Sequence, residues 1–145
     1  MKKIFLFLVL SILILISIFK LYSSPEKRML NDFATDVINE DIKPEKIIDK
    51  YIICDKRAIE IDVLVLKYVR SEYKKHPSSI SVHTFKEKEN DERLNSLVSD
   101  NYENVYLIDF GDELYMPILL NKDLKIIAIS TMNKGGKRFF ITTDK

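Results

Sequence analysis

Glycine is scarce in this chain. Gly111, Gly135 and Gly136 are the only three in 145 residues. They leave no room for a GxGxxG turn, a Walker A loop or a GxSxG nucleophile elbow. Cysteine occurs once, at Cys54, which excludes an intramolecular disulfide, a CxxC redox pair and a cysteine-rich zinc site. Between Ile53 and Asp55 it reads as a small buried hydrophobe. Tryptophan is absent, and the two histidines are His76 and His83. Their spacing matches no familiar zinc pattern, so no metal and no other cofactor is expected. An excess of one charge is lacking too, since the formal net charge is +1. With Lys2, Lys3 and Lys20 set aside, the remainder from Ser24 onward is slightly acidic. Such a surface has no electrostatic drive toward DNA or RNA, and no nucleic-acid partner is expected.

What is present begins with one long apolar run. After Met1, Lys2 and Lys3 it opens at Ile4 and closes at Tyr22, with Lys20 able to snorkel. That run, residues 4–22, exceeds the usual length of a secretory h-region and approaches that of a membrane span. A small-x-small cleavage site is poor, because Leu21 or Tyr22 would occupy the −3 position. Residues 1–24 are therefore read as an uncleaved signal anchor, a cleaved signal peptide being the alternative. Residues 25–145 are read as one domain outside the cytoplasmic membrane, secreted if the signal is removed. The flanking basic residues do not decide orientation.

Hydropathy patterning divides the domain in two. Ser24-Pro25 is an N-cap followed by proline at the first helical position, and apolar residues then recur at helical spacing over residues 25–40. Pro44 opens a short second helix with Ile47, Ile48 and Tyr51 on one side. Residues 55–75 hold neither glycine nor proline. Ala58, Ile61, Val65, Tyr68 and Val69 give them a helical stripe, and Pro77 stops the helix. Beyond Pro77 the period becomes that of strands: residues 80–85, 104–110, 113–120, 124–131 and 137–143. A charged loop and a helical turn at residues 94–98 intervene. Pro117 lacks an N–H, so a bulge or a local edge is expected there. Short links built on Gly111-Asp112, on residues 121–123 and on residues 133–136 predict antiparallel hairpins. The last two runs should pair across Gly135-Gly136.

The expected fold is α+β, with N-terminal helices packed on a curved antiparallel sheet. This element order resembles the cystatin-like, nuclear-transport-factor-like superfamily, in which a bent sheet wraps a long helix as a cone. The resemblance covers residues 25–143 and rests on order and length. It implies a binding module, or an isomerase- or dehydratase-type enzyme with an acid or base inside the cone, and it transfers no catalytic residue.

Candidate site residues follow from strand alternation. His83 shares a face with Ser81 and Phe85, and an imidazole there can move protons near neutral pH. A half-exposed strand histidine is the simpler reading. His76 reads as a helix-end cap. Asp109 shares a face with Val105 and Leu107, where a carboxylate is either buried and functional or at the sheet end in water, and the second is expected. Asp112 and Glu113 read as solvated turn acids. Tyr106, Phe110 and Tyr115 are candidates to line a cleft, against the simpler reading as core. Lys134, Lys137 and Arg138 around the two glycines can hold an anion, against the simpler reading as solvated charge. The leading functional expectation is a membrane-tethered, extracytoplasmic, non-enzymatic module binding a protein, a peptide or a small apolar ligand. An immunity-type protein is one form of it. The alternatives are a small isomerase- or dehydratase-like enzyme using His83 or Asp109, and a structural domain of an envelope assembly.

Overall fold

The computed structural model describes residues 24–54, 56–111 and 113–142. The apolar run that the sequence reads as an anchor lies outside them. Among the described residues no helix is long and apolar enough to cross a membrane.

Three helices come first. Helix α1, Pro25–Ile38, starts where Ser24 Oγ accepts a hydrogen bond from the Lys27 amide at 3.3 Å, with proline at its first position. Leu30, Phe33, Ala34 and Val37 form its buried stripe. Helix α2, Pro44–Tyr51, buries Ile47, Ile48 and Tyr51 as the sequence predicts. Helix α3, Lys56–Lys75, is the long helix expected over residues 55–75. Arg70 of α3 ties the helices together. Its Nε donates at 2.8 Å to the Val37 carbonyl, which the end of α1 leaves open, and its Nη2 at 2.9 Å to that of Ile42 in the link to α2.

The strands form two sheets. The first holds β1 (Ser81–Thr84), β3 (Val105–Asp109), β4 (Tyr115–Leu120) and β5 (Ile126–Ala128), all antiparallel, in the order β1-β3-β4-β5. The second has the order β2-β7-β6, from β2 (Leu97–Val98), β6 (Thr131–Lys134) and β7 (Lys137–Phe140). There β2 runs parallel to β7. One face of the first sheet meets the helices through Tyr106, Ile108, Phe110, Met116, Ile118 and Ile126. The other meets Leu94 and Leu97 through Val105 and Leu107, with Phe140 packed alongside. Covered on both faces, β3 is buried along its whole length. The fold is α+β, as expected.

Several details differ from the sequence reading. The stripe expected on α3 is rotated. Ile61 and Tyr68 are exposed, Val65 is half-buried, and Asp62, Leu66 and Val69 point into the core beside Ala58. A buried aspartate in the apolar register misled the periodicity. The run at residues 124–131 splits at Ile129-Ser130: β5 stays in the first sheet and β6 crosses to the second. The hairpin across Gly135-Gly136 is present, but its strands are β6 and β7. Both glycines have positive φ, 61° and 77°, the combination a type I′ turn requires. The link between β3 and β4 is longer than a two-residue turn, because Phe110 N donates to Leu114 O. Asp112 lies outside the described residues. The helical turn expected at residues 94–98 is a 3₁₀ turn, Glu92–Leu94, followed by β2. Pro117 sits opposite Leu107 of β3. The pairing of β4 with β5 begins only at Leu119, with a register shift beside it, which is the expected local edge and irregularity.

Candidate functional site

Strand alternation places Ser81 and His83 on the face of β1 turned away from the helices, while Val82 packs into the helical core. Ser81 lies opposite Asp109 in the β1–β3 register, so a hydroxyl, an imidazole and a carboxylate converge. Two short 3₁₀ turns, Lys86–Lys88 and Glu92–Leu94, bring Lys88 and Arg93 over them. The resulting polar hollow, about 270 Å³, is lined by these five residues with Ser79 and Gly111.

Asp109 is 8% exposed, not at the sheet end in water as the sequence suggested. The loop between β1 and β3 covers it, and the Arg93 and Lys88 cations compensate its charge. Arg93 Nη1 lies 2.9 Å from Oδ1, and Lys88 Nζ and His83 Nε2 lie 3.4 and 3.5 Å from Oδ2. The Arg93 approach is short, yet Oδ1 accepts no well-directed hydrogen bond, so charge rather than direction holds that contact. Asp91 fixes the guanidinium from its other side, with Nη2 at 2.6 Å from Oδ2. That bond holds the Asp91 carboxyl down at about 2. Burial, helped by Lys88, lowers the pKa of His83, so the ring is neutral at pH 7.

This geometry limits the chemistry. Ser81 Oγ is 2.9 Å from His83 Nε2, the same nitrogen that faces Asp109. A relay from serine through imidazole to carboxylate needs the two partners on different ring nitrogens. Asp109 is also clamped between Arg93 and Lys88. The cluster behaves as a compensated ion network, and it lies on the sheet face opposite the helices.

A larger opening lies where α3 ends. About 740 Å³ in volume, it has Tyr68 and Leu114 as apolar lining, the Phe110 backbone at its edge, and Glu72, Lys75, His76 and Glu113 as polar and charged groups. Its edge is fixed by Ser78, whose Oγ donates to the Phe110 carbonyl at 2.5 Å, and by Tyr73, whose hydroxyl donates to the Ser78 carbonyl at 2.8 Å. Gly111 belongs here for a steric reason. Its φ is 134°, and a Cβ would stand 2.5 Å from Ser78 Oγ. His76 thus lies on the cleft wall just past the helix end.

The three candidate aromatics do not share a cleft. Tyr106 and Phe110 pack in the helical core, and burial raises the Tyr106 pKa. Tyr115 lies on the other face, where its ring packs against the guanidinium groups of Arg93 and Arg138. Its hydroxyl accepts from Arg138 Nη1 at 2.8 Å. The basic loop is also divided. Lys134 and Lys137 are exposed, whereas Arg138 is half-buried and donates to Ser96 Oγ at 2.9 Å and to the Arg93 carbonyl. Solvated charge therefore describes the two lysines and not Arg138, which stitches β7 to the loop and to β4.

Sequence reasoning paired neither Lys88 nor Arg93 with Asp109, because the path of a charged loop leaves no periodic signal. It also missed the bond from Ser130 Oγ to the buried Asp62 carboxylate, 2.8 Å. No protein family matches the chain, and no curated protein or solved structure is significantly similar to it.

Proposed function

We propose that this protein is a membrane-tethered, extracytoplasmic, non-enzymatic binding module that takes a protein segment or peptide in the cleft at the end of α3. The cleft carries this reading. It is open, about 740 Å³, with aromatic surface at Tyr68 and aliphatic surface at Leu114 beside acidic and basic groups. Peptide grooves combine apolar anchoring surface with polar groups that fix orientation. The apolar residues 4–22 supply the tether, with the domain on the outer side of the cytoplasmic membrane. Helices lying across one face of an antiparallel sheet are in keeping with a cone-like relative of the cystatin-like, nuclear-transport-factor-like superfamily, and that likeness is part of the same proposal.

A photo-crosslinking residue at His76, in protein expressed in its native envelope, tests the reading. A defined protein adduct is expected at His76, absent with the crosslinker at Lys122 and lost when Leu114 is changed to Asp. Equal adducts from both positions, or none at His76, would remove the cleft as the binding site.

The convergence of His83 with Asp109 favours a second reading, a small proton-transfer enzyme. Against it stand the shared ring nitrogen and the two cations that hold the carboxylate.

A further inference from the structure

The outward face of α3 carries an apolar stripe. Ile61 is 42% exposed, Leu64 66% and Tyr68 61%. Their spacing of i, i+3 and i+7 is that of a helix-packing seam. The helix has 20 residues and is therefore about 30 Å long. Asp62, Leu66 and Val69 face the chain's own core from the opposite side, so the stripe points outward. Glu60 and Lys67, both exposed, flank it on one side, as the rotation of about 100° per residue requires. Among the described residues, neither forms an ion pair within its own chain.

We propose that α3 docks antiparallel on α3 of a second copy of this chain, across a twofold axis at Leu64. In such an arrangement each flank of the helix meets the same flank of its partner, running the other way. Glu60 precedes Leu64 by about 6 Å of helix rise and Lys67 follows it by about 4.5 Å. Glu60 therefore meets the partner's Lys67, and the pair is repeated by symmetry. Ile61 meets the partner's Tyr68, and Leu64 meets the partner's Leu64. A parallel arrangement would set the Glu60–Lys67 flank against the partner's opposite flank, and these pairs would not form. The face is complementary to itself in one orientation only.

Cysteine crosslinking of the full chain in mild detergent, with Cys54→Ser as background, tests this. Tyr68 borders both the stripe and the cleft, but the crosslinking needs no cleft ligand, so it and the cleft experiment fail separately. On oxidation Leu64→Cys should give a disulfide-linked dimer, and Lys122→Cys should not. A mixture of Ile61→Cys and Tyr68→Cys should link several-fold better than either variant alone. Glu60→Lys should raise the dimer dissociation constant roughly tenfold in sedimentation, and the double change Glu60→Lys/Lys67→Glu should restore it. Crosslinking of Leu64→Cys no greater than that of Lys122→Cys overturns the proposal. So does better linking within each of the two variants than between them. So does a full chain that sediments as a monomer with or without Leu64→Asp.

Discussion

Asp62 is an acidic side chain at 5% exposure, with one hydrogen bond from Ser130 to offset its lost hydration. Burial raises its pKa, and the Ser130 bond only partly opposes the shift. The sign is fixed by that direction. A group whose folded pKa lies above its unfolded value favours the folded state most at pH below the unfolded value. That contribution is lost as pH rises through the folded one. At neutral pH the charged form is a burden on the core. Asp62→Asn keeps an acceptor for the Ser130 hydroxyl and removes the charge. It should stabilise the domain at pH 7 by about 1 kcal/mol, and by less at pH 4. Urea unfolding at the two pH values reads this directly. His83 has the opposite sign: its lowered pKa contributes stability above about 6.5 that is lost as pH falls through the lowered value. The carboxyl of Glu87, held at about 2 by Lys27 and the Thr84 amide, likewise favours folding above the ordinary carboxylate range. Arg138 gives the sharpest residue-scale contrast. Arg138→Gln removes bonds to Ser96, Tyr115 and the Arg93 carbonyl, and should cost about 1–3 kcal/mol. Lys134→Gln and Lys137→Gln should each stay within about 0.5 kcal/mol of the parent. Thermal unfolding of the single variants separates the two cases.

At the scale of elements, α3 tests which face is core. Leu66→Asp puts a charge at a fully buried position, where several kcal/mol are lost, and circular dichroism should find it unfolded. Leu64→Asp, on the outward face, should stay folded. The hairpin of β6 and β7 offers a second test. Replacing Gly135 and Gly136 by Val forces β-branched side chains to φ values of 61° and 77°, at about 1 kcal/mol or more each. The unfolding midpoint should fall, although no atom lies within 4 Å of either added Cβ. These elements also mark how far the sequence could be read. Helix α1 was legible because Ser24-Pro25 caps it and one apolar stripe serves one core. The extent of α3 was legible from its lack of breakers. Its face was not, because Asp62 occupies a core position while Leu64 and Tyr68 do not. The glycine turn was legible because positive φ selects its residue. The change of sheet at Ser130 was not, since residues 124–131 read as one unbroken strand and only tertiary pairing divides them. Of the polar hollow, alternation placed Ser81 with His83. The burial of Asp109 and the arrival of Lys88 and Arg93 depend on a loop with no pattern.

At the scale of the whole molecule, three helices cover one face of the first sheet, and a charged loop with a small second sheet covers the other. The two candidate sites adjoin at Gly111, which borders both, but open to different surroundings. The polar hollow lies under the loop, and the cleft lies where α3 ends beside the link from β3 to β4. Amide hydrogen exchange compares them most directly. The full chain would be measured in an envelope preparation of its native cells and again after purification. A module that binds through the cleft predicts slower exchange in the envelope preparation at residues 76–78 and 113–114, with residues 81–83 and 88–93 unchanged. Protection confined to residues 81–83 and 88–93, with the cleft segments unaltered, would contradict it.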